Sequence, residues 1–223
     1  MKKFLVLLLA ALLVLGCVSA LAEEDPYKDL GSYTMIVGHS QPESNPRYIS
    51  MEKFAADVAE KTHGHVTVEV FGNGQLGTEK EMLEQVVQGV TQGMRGGQYD
   101  FSPRLLMFTL PFLANNREEV AALLQSDLAK KVSAEAAETT GTVIINLCDA
   151  GGFRQFSNNT RPLTKPEDLK GLKMRTNGMK TIDLTFQAMG ANTVSVPYAD
   201  LYMGLKTSIA DGQENPWVNA HVR

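Results

Sequence analysis

Two arginines beside predicted strands are the side chains of this sequence best suited to bind an anion. Arg154 follows the glycine pair Gly151-Gly152, and Arg175 closes the strand-like run Leu172–Met174. Ligands of a parallel sheet collect at the carboxyl ends of its strands. A guanidinium group presents a planar fork of donors that matches a carboxylate. Both positions are therefore candidates for carboxylate binding, and two ordinary surface arginines are the alternative that position alone leaves open.

The sequence lacks the common catalytic motifs. It contains no Gly-x-Ser-x-Gly elbow, no Walker-type phosphate loop and no His-Glu-x-x-His. His63 and His65 flank Gly64 at a predicted turn, a pattern more typical of a solvated turn than of a metal site. We therefore expect no enzymatic activity, no cofactor and no dedicated metal site. An exported α/β hydrolase is a rival interpretation, weakened by the missing nucleophile–base pair.

The N-terminus has the pattern of a secretory signal. A basic start at Met1–Lys3 precedes an apolar run over Phe4–Leu15, and Ala20-Leu21-Ala22 provides a small-residue cleavage site. The run is shorter than the roughly 20 apolar residues of a membrane-spanning helix. We predict cleavage after Ala22 and export to the periplasm. Lipidation of Cys17, in the box Val14–Cys17, is the alternative.

Charge and cysteine content narrow the range of partners. The chain has 21 basic and 25 acidic side chains, and removal of residues 1–22 takes away two lysines, leaving a net charge of −6. Because no basic stripe is present, we expect no nucleic-acid partner. Cys148 is then the only cysteine, and the apolar run Thr142–Cys148 predicts a buried structural thiol rather than a nucleophile.

Strand-like and helix-like segments alternate from Tyr33 to Asn215. Such alternation predicts an α/β fold, with mostly parallel sheets flanked by helices. The glycine pair Gly151-Gly152 is the predicted boundary between a first lobe, residues 23–150, and a second lobe, residues 151–223. The predicted strands are Tyr33–Val37, Val66–Val70, Thr142–Cys148, Phe153–Ser157, Leu172–Thr176, Thr193–Val196 and Ile209–Gln213.

Apolar periodicity predicts the helices between these strands. One helix presents a face made of Tyr48, Met51, Phe54, Ala55 and Val58. The next begins at a capping box formed by Thr78 and Glu81. Its predicted buried stripe is Met82, Leu83, Val86 and Val87, and further helices are predicted over 117–138, 181–189 and 198–206.

Three blocks of the sequence resemble one family. The first is Phe71–Gly77 followed by Glu79 and Glu81; the second combines Gly152–Arg154, Arg161–Leu163 and Pro166–Arg175; the third combines Gly190–Asn192, Leu201-Tyr202 and Asp211–Pro216. Their order and spacing resemble those of the solute-binding proteins of TRAP (tripartite ATP-independent periplasmic) transporters. The resemblance implies a two-lobed periplasmic-binding-protein-like fold that closes around a small organic acid, such as a C4-dicarboxylate, keto acid or sugar acid.

The resemblance also assigns roles to individual residues. Arg175 resembles the family's principal carboxylate clamp, and Arg154 resembles the second arginine that orients the ligand. Asn215 matches an asparagine that donates to the bound acid, and Gln75 lies in a turn similar to a first-lobe segment near the cleft. His39, which directly follows the first predicted strand, is a candidate on position alone.

The same resemblance bears on the partners of the protein and on how much of the two lobes the 223 residues contain. It implies that the chain is a monomer and delivers its ligand to the membrane subunits of a TRAP permease. A ligand-sensing protein that serves a receptor kinase is the second rival. Members of the family continue past the block Asp211–Pro216, so we expect that the parts completing both lobes lie beyond Arg223. The 223-residue chain by itself is then expected to be unstable.

Overall fold

The computed structural model describes residues 25–221. The predicted signal, with its cleavage site after Ala22 and the alternative lipidation site at Cys17, lies outside these residues. Within the described part of the chain, no helix is both long and apolar enough to cross a membrane. Two β-sheets, seven α-helices and several short 3₁₀ helices make up the regular structure of residues 25–221.

The first sheet consists of three parallel strands, β1 (Tyr33–His39), β2 (Val66–Phe71) and β3 (Gly93–Arg95), in the order β2-β1-β3. Helix α1 (Pro46–Lys61) joins β1 to β2, and α2 (Glu79–Val87) joins β2 to β3. Both helices are crossover connections of the length that parallel strands need, because parallel strands cannot be joined by a tight hairpin. All three strands therefore have their carboxyl ends at one edge of the sheet.

Capping residues fix where both helices begin. The side chain of Asn45 accepts a hydrogen bond from the Arg47 amide at 2.9 Å, ahead of α1. The predicted capping box at α2 is confirmed: Thr78 accepts from the Glu81 amide at 3.2 Å, and Glu81 accepts from the Thr78 amide at 2.7 Å. Such caps satisfy amide groups that the first helical turn leaves without a partner. The caps place Arg47 and Glu79 in the first turns of their helices.

The middle of the chain is helical. A 3₁₀ helix at Leu105–Thr109 precedes α3 (Arg117–Leu124) and α4 (Asp127–Thr140). The single helix predicted over 117–138 is interrupted because Ser126 caps a new one, with its Oγ accepting from the Ala129 amide at 3.2 Å. A small core joins this region, built from Leu105, Val132 and Ala136.

The second sheet has four strands in the order β4-β7-β5-β6. These are β4 (Arg154–Asn158), β5 (Lys173–Thr176), β6 (Asn192–Ser195) and β7 (Gly212–Pro216). The β4–β7 pair is antiparallel, whereas β7, β5 and β6 run parallel to one another. Gly212 permits the close approach of β4 and β7, because a Cβ atom there would lie 2.4 Å from the Ser157 carbonyl oxygen.

Helices α5 (Lys180–Ala188), α6 (Leu201–Lys206) and α7 (Trp217–His221) accompany the second sheet, with 3₁₀ turns at Pro166–Leu169 and Tyr198–Asp200. The predicted α/β class, with mostly parallel sheets flanked by helices, is confirmed. The buried side chains that pack α5 against this sheet form the larger core of residues 25–221. They are Leu169, Leu172, Met174, Met179, Ile182, Phe186 and Ala191.

The prediction of a strand at Thr142–Cys148 is wrong. No strand of residues 25–221 pairs with this segment, and Val143 and Ile145 are 83% and 77% exposed. An apolar β-branched run becomes a strand only where a neighbour completes its hydrogen bonds. The prediction of a buried thiol is also wrong: Ile144 and Leu147 pack against the small core of the helical region, but Cys148 is exposed.

Two smaller predictions are also corrected. The last strand begins at Gly212 rather than Ile209, because residues 209–211 form the turn that brings the Asp211 amide to the Lys173 carbonyl oxygen at 2.8 Å. In α2 only Met82 is fully buried, and Val87 is 45% exposed at the helix end, where the chain turns away at Gly89.

Candidate ligand-binding cleft

A cleft of about 1630 Å³ opens between the two sheets. Ser40, at the end of β1, and Glu79, at the start of α2, line one side of it. Arg175 in β5 and Asn215 in β7 line the other side. Most ligand pockets hold about 300–1000 Å³, so the cleft is wide enough for a small molecule together with water.

Arg175 is the most deeply buried charge in the cleft. It is the third residue of β5 and only 2% exposed. Its Nε donates to the Val196 carbonyl oxygen at 2.7 Å, whereas its Nη2 is buried with no hydrogen-bond partner in residues 25–221. Burial lowers the pKa of Arg175 to about 10, with Glu214 and Glu79 opposing that effect. The guanidinium group therefore stays charged at neutral pH and keeps donors for an anion.

Arg154 has a different environment, although it lines the same cleft. Its side chain is 38% exposed and forms an ion pair with the buried Glu214, whose two carboxylate oxygens accept from Nε and Nη2. The same Nη2 also donates to the Glu214 carbonyl oxygen at 3.0 Å and lies 3.4 Å from Asn215 Oδ1. The donors of Arg154 are thus largely occupied by β7.

Asn215 belongs to a chain of buried amide side chains. Its Nδ2 donates to Gln213 Oε1 at 2.5 Å, and its Oδ1 accepts from Asn219 Nδ2 at 3.4 Å. Asn219 Oδ1 in turn accepts from Nδ2 of Asn45, at 3.4 Å, and Asn45 also donates to Gln41 Oε1 at 3.1 Å. This chain links the cap of α1 to β7, so residues far apart in sequence hold the floor of the cleft together.

The other two predicted site residues lie apart from the cleft lining. His39 is 1% exposed at the end of β1; its Nδ1 lies 2.9 Å from the Arg95 carbonyl oxygen, and its Nε2 is buried without a partner in the described residues. Burial lowers the pKa of His39 to about 4, so the ring is neutral at pH 7. Gln75 is exposed in the turn after β2. The structure therefore brings together Arg175, Arg154 and Asn215.

Several residues that line the cleft were not among the predicted site residues. Arg47 is half-buried, and two of its nitrogens donate to the Ala150 carbonyl oxygen, one of them at 2.9 Å. Burial lowers its pKa and raises that of Tyr99. Glu79 and Gln98 also face the cleft. Only Glu79 carried a signal in the sequence, its place behind the glycine-rich turn in the first block.

A family comparison decides what kind of protein carries this cleft. Residues 37–222 match the family described as bacterial extracellular solute-binding protein, family 7. The chain belongs to this family. It is a family of periplasmic binding proteins that take small carboxylates and work with TRAP membrane components, and an N-terminal signal peptide is typical of it. The family assignment predicted from the three sequence blocks is confirmed.

Named relatives and solved structures agree with the family. The C4-dicarboxylate-binding periplasmic protein DctP of Rhodobacter capsulatus is 34% identical over 165 residues, which are 72% of this chain and 49% of that protein. A TRAP periplasmic solute-binding protein of Sulfurospirillum deleyianum with bound succinate is 29% identical at a TM-score of 0.78, covering 86% of this chain and 62% of that one.

A third relative binds a different acid. The sugar acid binding protein DctPAm of Advenella mimigardefordensis, solved with galactonate, is 25% identical at a TM-score of 0.77 and covers 85% of this chain and 61% of that one. These matches assign the fold to the two-lobed α/β class of TRAP binding proteins. The chain spans between about half and two-thirds of the length of these three proteins.

Proposed function

We propose that this family member captures a small organic acid in the cleft and delivers it to a TRAP-type membrane permease. The ligand's carboxylate binds the guanidinium group of Arg175. Closure of two lobes, residues 23–150 and 151–223, around the ligand gives the permease a shape to recognise. No bond is made or broken, so the protein acts as a binding protein, not an enzyme, and works as an exported monomer.

One observation carries this proposal: a buried, charged arginine, Arg175, lines the cleft with its Nη2 lacking a hydrogen-bond partner in residues 25–221. Burial of a cation is costly unless an anion and hydrogen bonds compensate for it. A carboxylate ligand would supply both, because its two oxygens match the guanidinium fork. The acids bound by the relatives, succinate and galactonate, share only this carboxylate chemistry, which supports a common anchor and leaves the rest of the ligand open.

Arg154 and Asn215 have supporting roles in this proposal. The Arg154–Glu214 pair fixes the edge of the cleft, and Arg154 is close enough to Arg175 to contribute to the lowering of its pKa. Asn215 would turn an amide hydrogen toward the bound acid. Both residues would thus orient a carboxylate that Arg175 anchors.

Isothermal titration calorimetry on the full-length protein tests the anchor, with succinate and D-galactonate as probes. Arg175→Ala should weaken the binding of whichever probe binds by roughly 2–5 kcal/mol, because the ligand's charge is left buried and unpaired. Arg175→Lys should also bind poorly, since an ammonium group cannot reproduce the fork. Arg104→Ala, at an exposed arginine paired with Glu135, is the matched control and should bind like the parent. If the affinity of Arg175→Ala is within about twofold of the parent's, Arg175 is not the anchor of the carboxylate.

A further inference from the structure

The side of the cleft built by the first sheet presents a carboxylate. Glu79, the first residue of α2, lines the cleft and is half-buried. Its Oε1 accepts from Ser40 Oγ at 2.6 Å, and its Oε2 accepts from the Gly97 amide at 2.9 Å. Both donors are neutral, so they hold the carboxylate in place without cancelling its charge. Because each carboxylate oxygen can accept two hydrogen bonds, Glu79 retains acceptor capacity toward the cleft.

A second acceptor stands beside the first. Gln98 directly follows Gly97 and also lines the cleft. Its Nε2 lies 3.4 Å from the Asn177 carbonyl oxygen, and its Oε1 is buried with no hydrogen-bond partner in residues 25–221. A buried acceptor without a partner is costly, and a ligand that donates to it would remove that cost. Glu79 and Gln98 therefore form a pair of acceptors on one side of the cleft.

Besides Arg175, the cleft is lined by Arg47, Lys80 and Arg154, and two of these three have donors engaged by other groups. Nε and Nη2 of Arg154 donate to Glu214, and Nε and Nη2 of Arg47 donate to the Ala150 carbonyl oxygen. Acidic side chains along the cleft outnumber basic ones. A ligand with its carboxylate on Arg175 would bring its far end toward Glu79 and Gln98. Hydroxyl groups there would donate hydrogen bonds, whereas a second carboxylate would meet a like charge.

We propose that the cleft selects polyhydroxylated monocarboxylates, the sugar-acid class, over dicarboxylates of the same length, through hydrogen bonds from ligand hydroxyl groups to Glu79 and Gln98. The selection rests on the proposed function, in which Arg175 anchors the carboxylate. A site whose acceptors bind ligand hydroxyl groups discriminates strongly against ligands that lack them. In a complex with such a ligand, the buried acceptors would stay without a hydrogen bond.

A matched ligand pair tests the proposal by calorimetry on the full-length protein. D-galactonate and galactarate have the same six-carbon polyhydroxy chain, and galactarate carries a second carboxylate in place of the terminal hydroxymethyl group. The parent should bind galactonate at least about tenfold more tightly than galactarate. Glu79→Gln, which keeps the side-chain shape, should weaken galactonate binding by about tenfold and bring the two ligands within about threefold of each other. Glu138→Gln, on the exposed face of α4, is the control and should change neither affinity.

The possible results separate the selection from the proposed function. Tighter or equal binding of galactarate by the parent would overturn the selection and point to Arg47 as a second carboxylate site. Equal weakening of both ligands by Glu79→Gln would also overturn it, since Glu79 would then only hold Ser40 and Gly97 in place. Binding of succinate but of neither six-carbon acid would overturn the selection and leave the organic-acid function standing. If none of the tested carboxylates binds the parent protein, the proposed organic-acid-binding function is itself wrong.

Discussion

Each of the two sheets has a buried basic side chain at or near the end of a parallel strand, and these two side chains behave differently. His39 closes β1 and Arg175 lies near the end of β5; they are 1% and 2% exposed. Each has one ring or guanidinium nitrogen without a partner in residues 25–221. Burial lowers the pKa of His39 to about 4 and that of Arg175, from a much higher ordinary value, to about 10.

The starting pKa decides the outcome of this shared burial. Burial lowers the pKa of both groups, yet the histidine is neutral at pH 7 and the arginine stays charged. His39 therefore adds no charge beside the first sheet, where Glu79 presents a carboxylate to the cleft, whereas the second sheet contributes the buried positive charge of Arg175. An asymmetric cleft of this kind suits a ligand with one charged and one uncharged end.

The largest expected effect on stability concerns the ion pair beside Arg175. Arg154→Ala would leave the buried Glu214 carboxylate without its partner, so it should lower the free energy of unfolding by about 2–4 kcal/mol. Glu214→Gln should cost less, because Arg154 is 38% exposed and can turn to water. Urea denaturation of both variants measures the difference.

The double variant Arg154→Ala/Glu214→Gln sharpens this result. Its cost should be smaller than the sum of the two single costs, because the pair is already broken by either change. Arg161→Ala, at an arginine bound only to the Asp168 and Lys170 carbonyl oxygens in the described residues, is the comparison outside the cleft. Strict additivity would show that Arg154 and Glu214 contribute independently and that β7 does not hold the arginine.

A smaller effect is expected from the neutral histidine of the first sheet. The pKa of His39 is lower in the folded state, at about 4, than its ordinary value of 6.5, so the unfolded chain takes up the proton first as the pH falls. Its contribution to stability is therefore complete above about pH 6.5 and is lost as the pH falls toward 4. Between about pH 7.5 and about pH 5 the loss amounts to roughly 2 kcal/mol.

Comparison with His39→Gln isolates this contribution from that of the carboxyl groups. The free energy of unfolding of the parent should fall more steeply than that of His39→Gln over this pH range, as measured by urea denaturation. His63→Gln, at an exposed histidine near Asp25, serves as the control. Parallel slopes for the parent and His39→Gln would mean that His39 takes up a proton in the folded state, and the contrast between the two sheets would fail.

Local sequence signals predicted much of the fold. The capping box at Thr78 and Glu81, the strand of Arg175 and helix α5 follow from neighbouring residues, and the structure places them within one or two residues of the prediction. The prediction of a strand at Thr142–Cys148 is wrong because the apolar pattern is typical of a strand but does not supply a neighbouring strand to pair with. The single helix predicted over 117–138 is two helices in the structure, because the side chain of Ser126 caps the start of α4.

The site was predictable only in part, because its contacts connect distant residues. Arg154 and Glu214 are 60 positions apart, and Asn45 and Asn219 are 174 apart. The sequence indicated that Arg175 lies at a strand end, but its burial and its free nitrogen depend on how β7 and the loop after β6 pack around it. For the same reason, the residues of the turn before Glu79 could not predict that its carboxylate lines the cleft.

A crystal structure of the full-length protein with a bound organic acid, D-galactonate or succinate, would show whether Arg175 anchors the ligand's carboxylate. The carboxylate oxygens should lie about 2.7–2.9 Å from the guanidinium nitrogens of Arg175, with Nη2 among the donors. Arg154 should keep its contact with Glu214. A carboxylate bound elsewhere, with Nη2 of Arg175 left without it, would contradict the account.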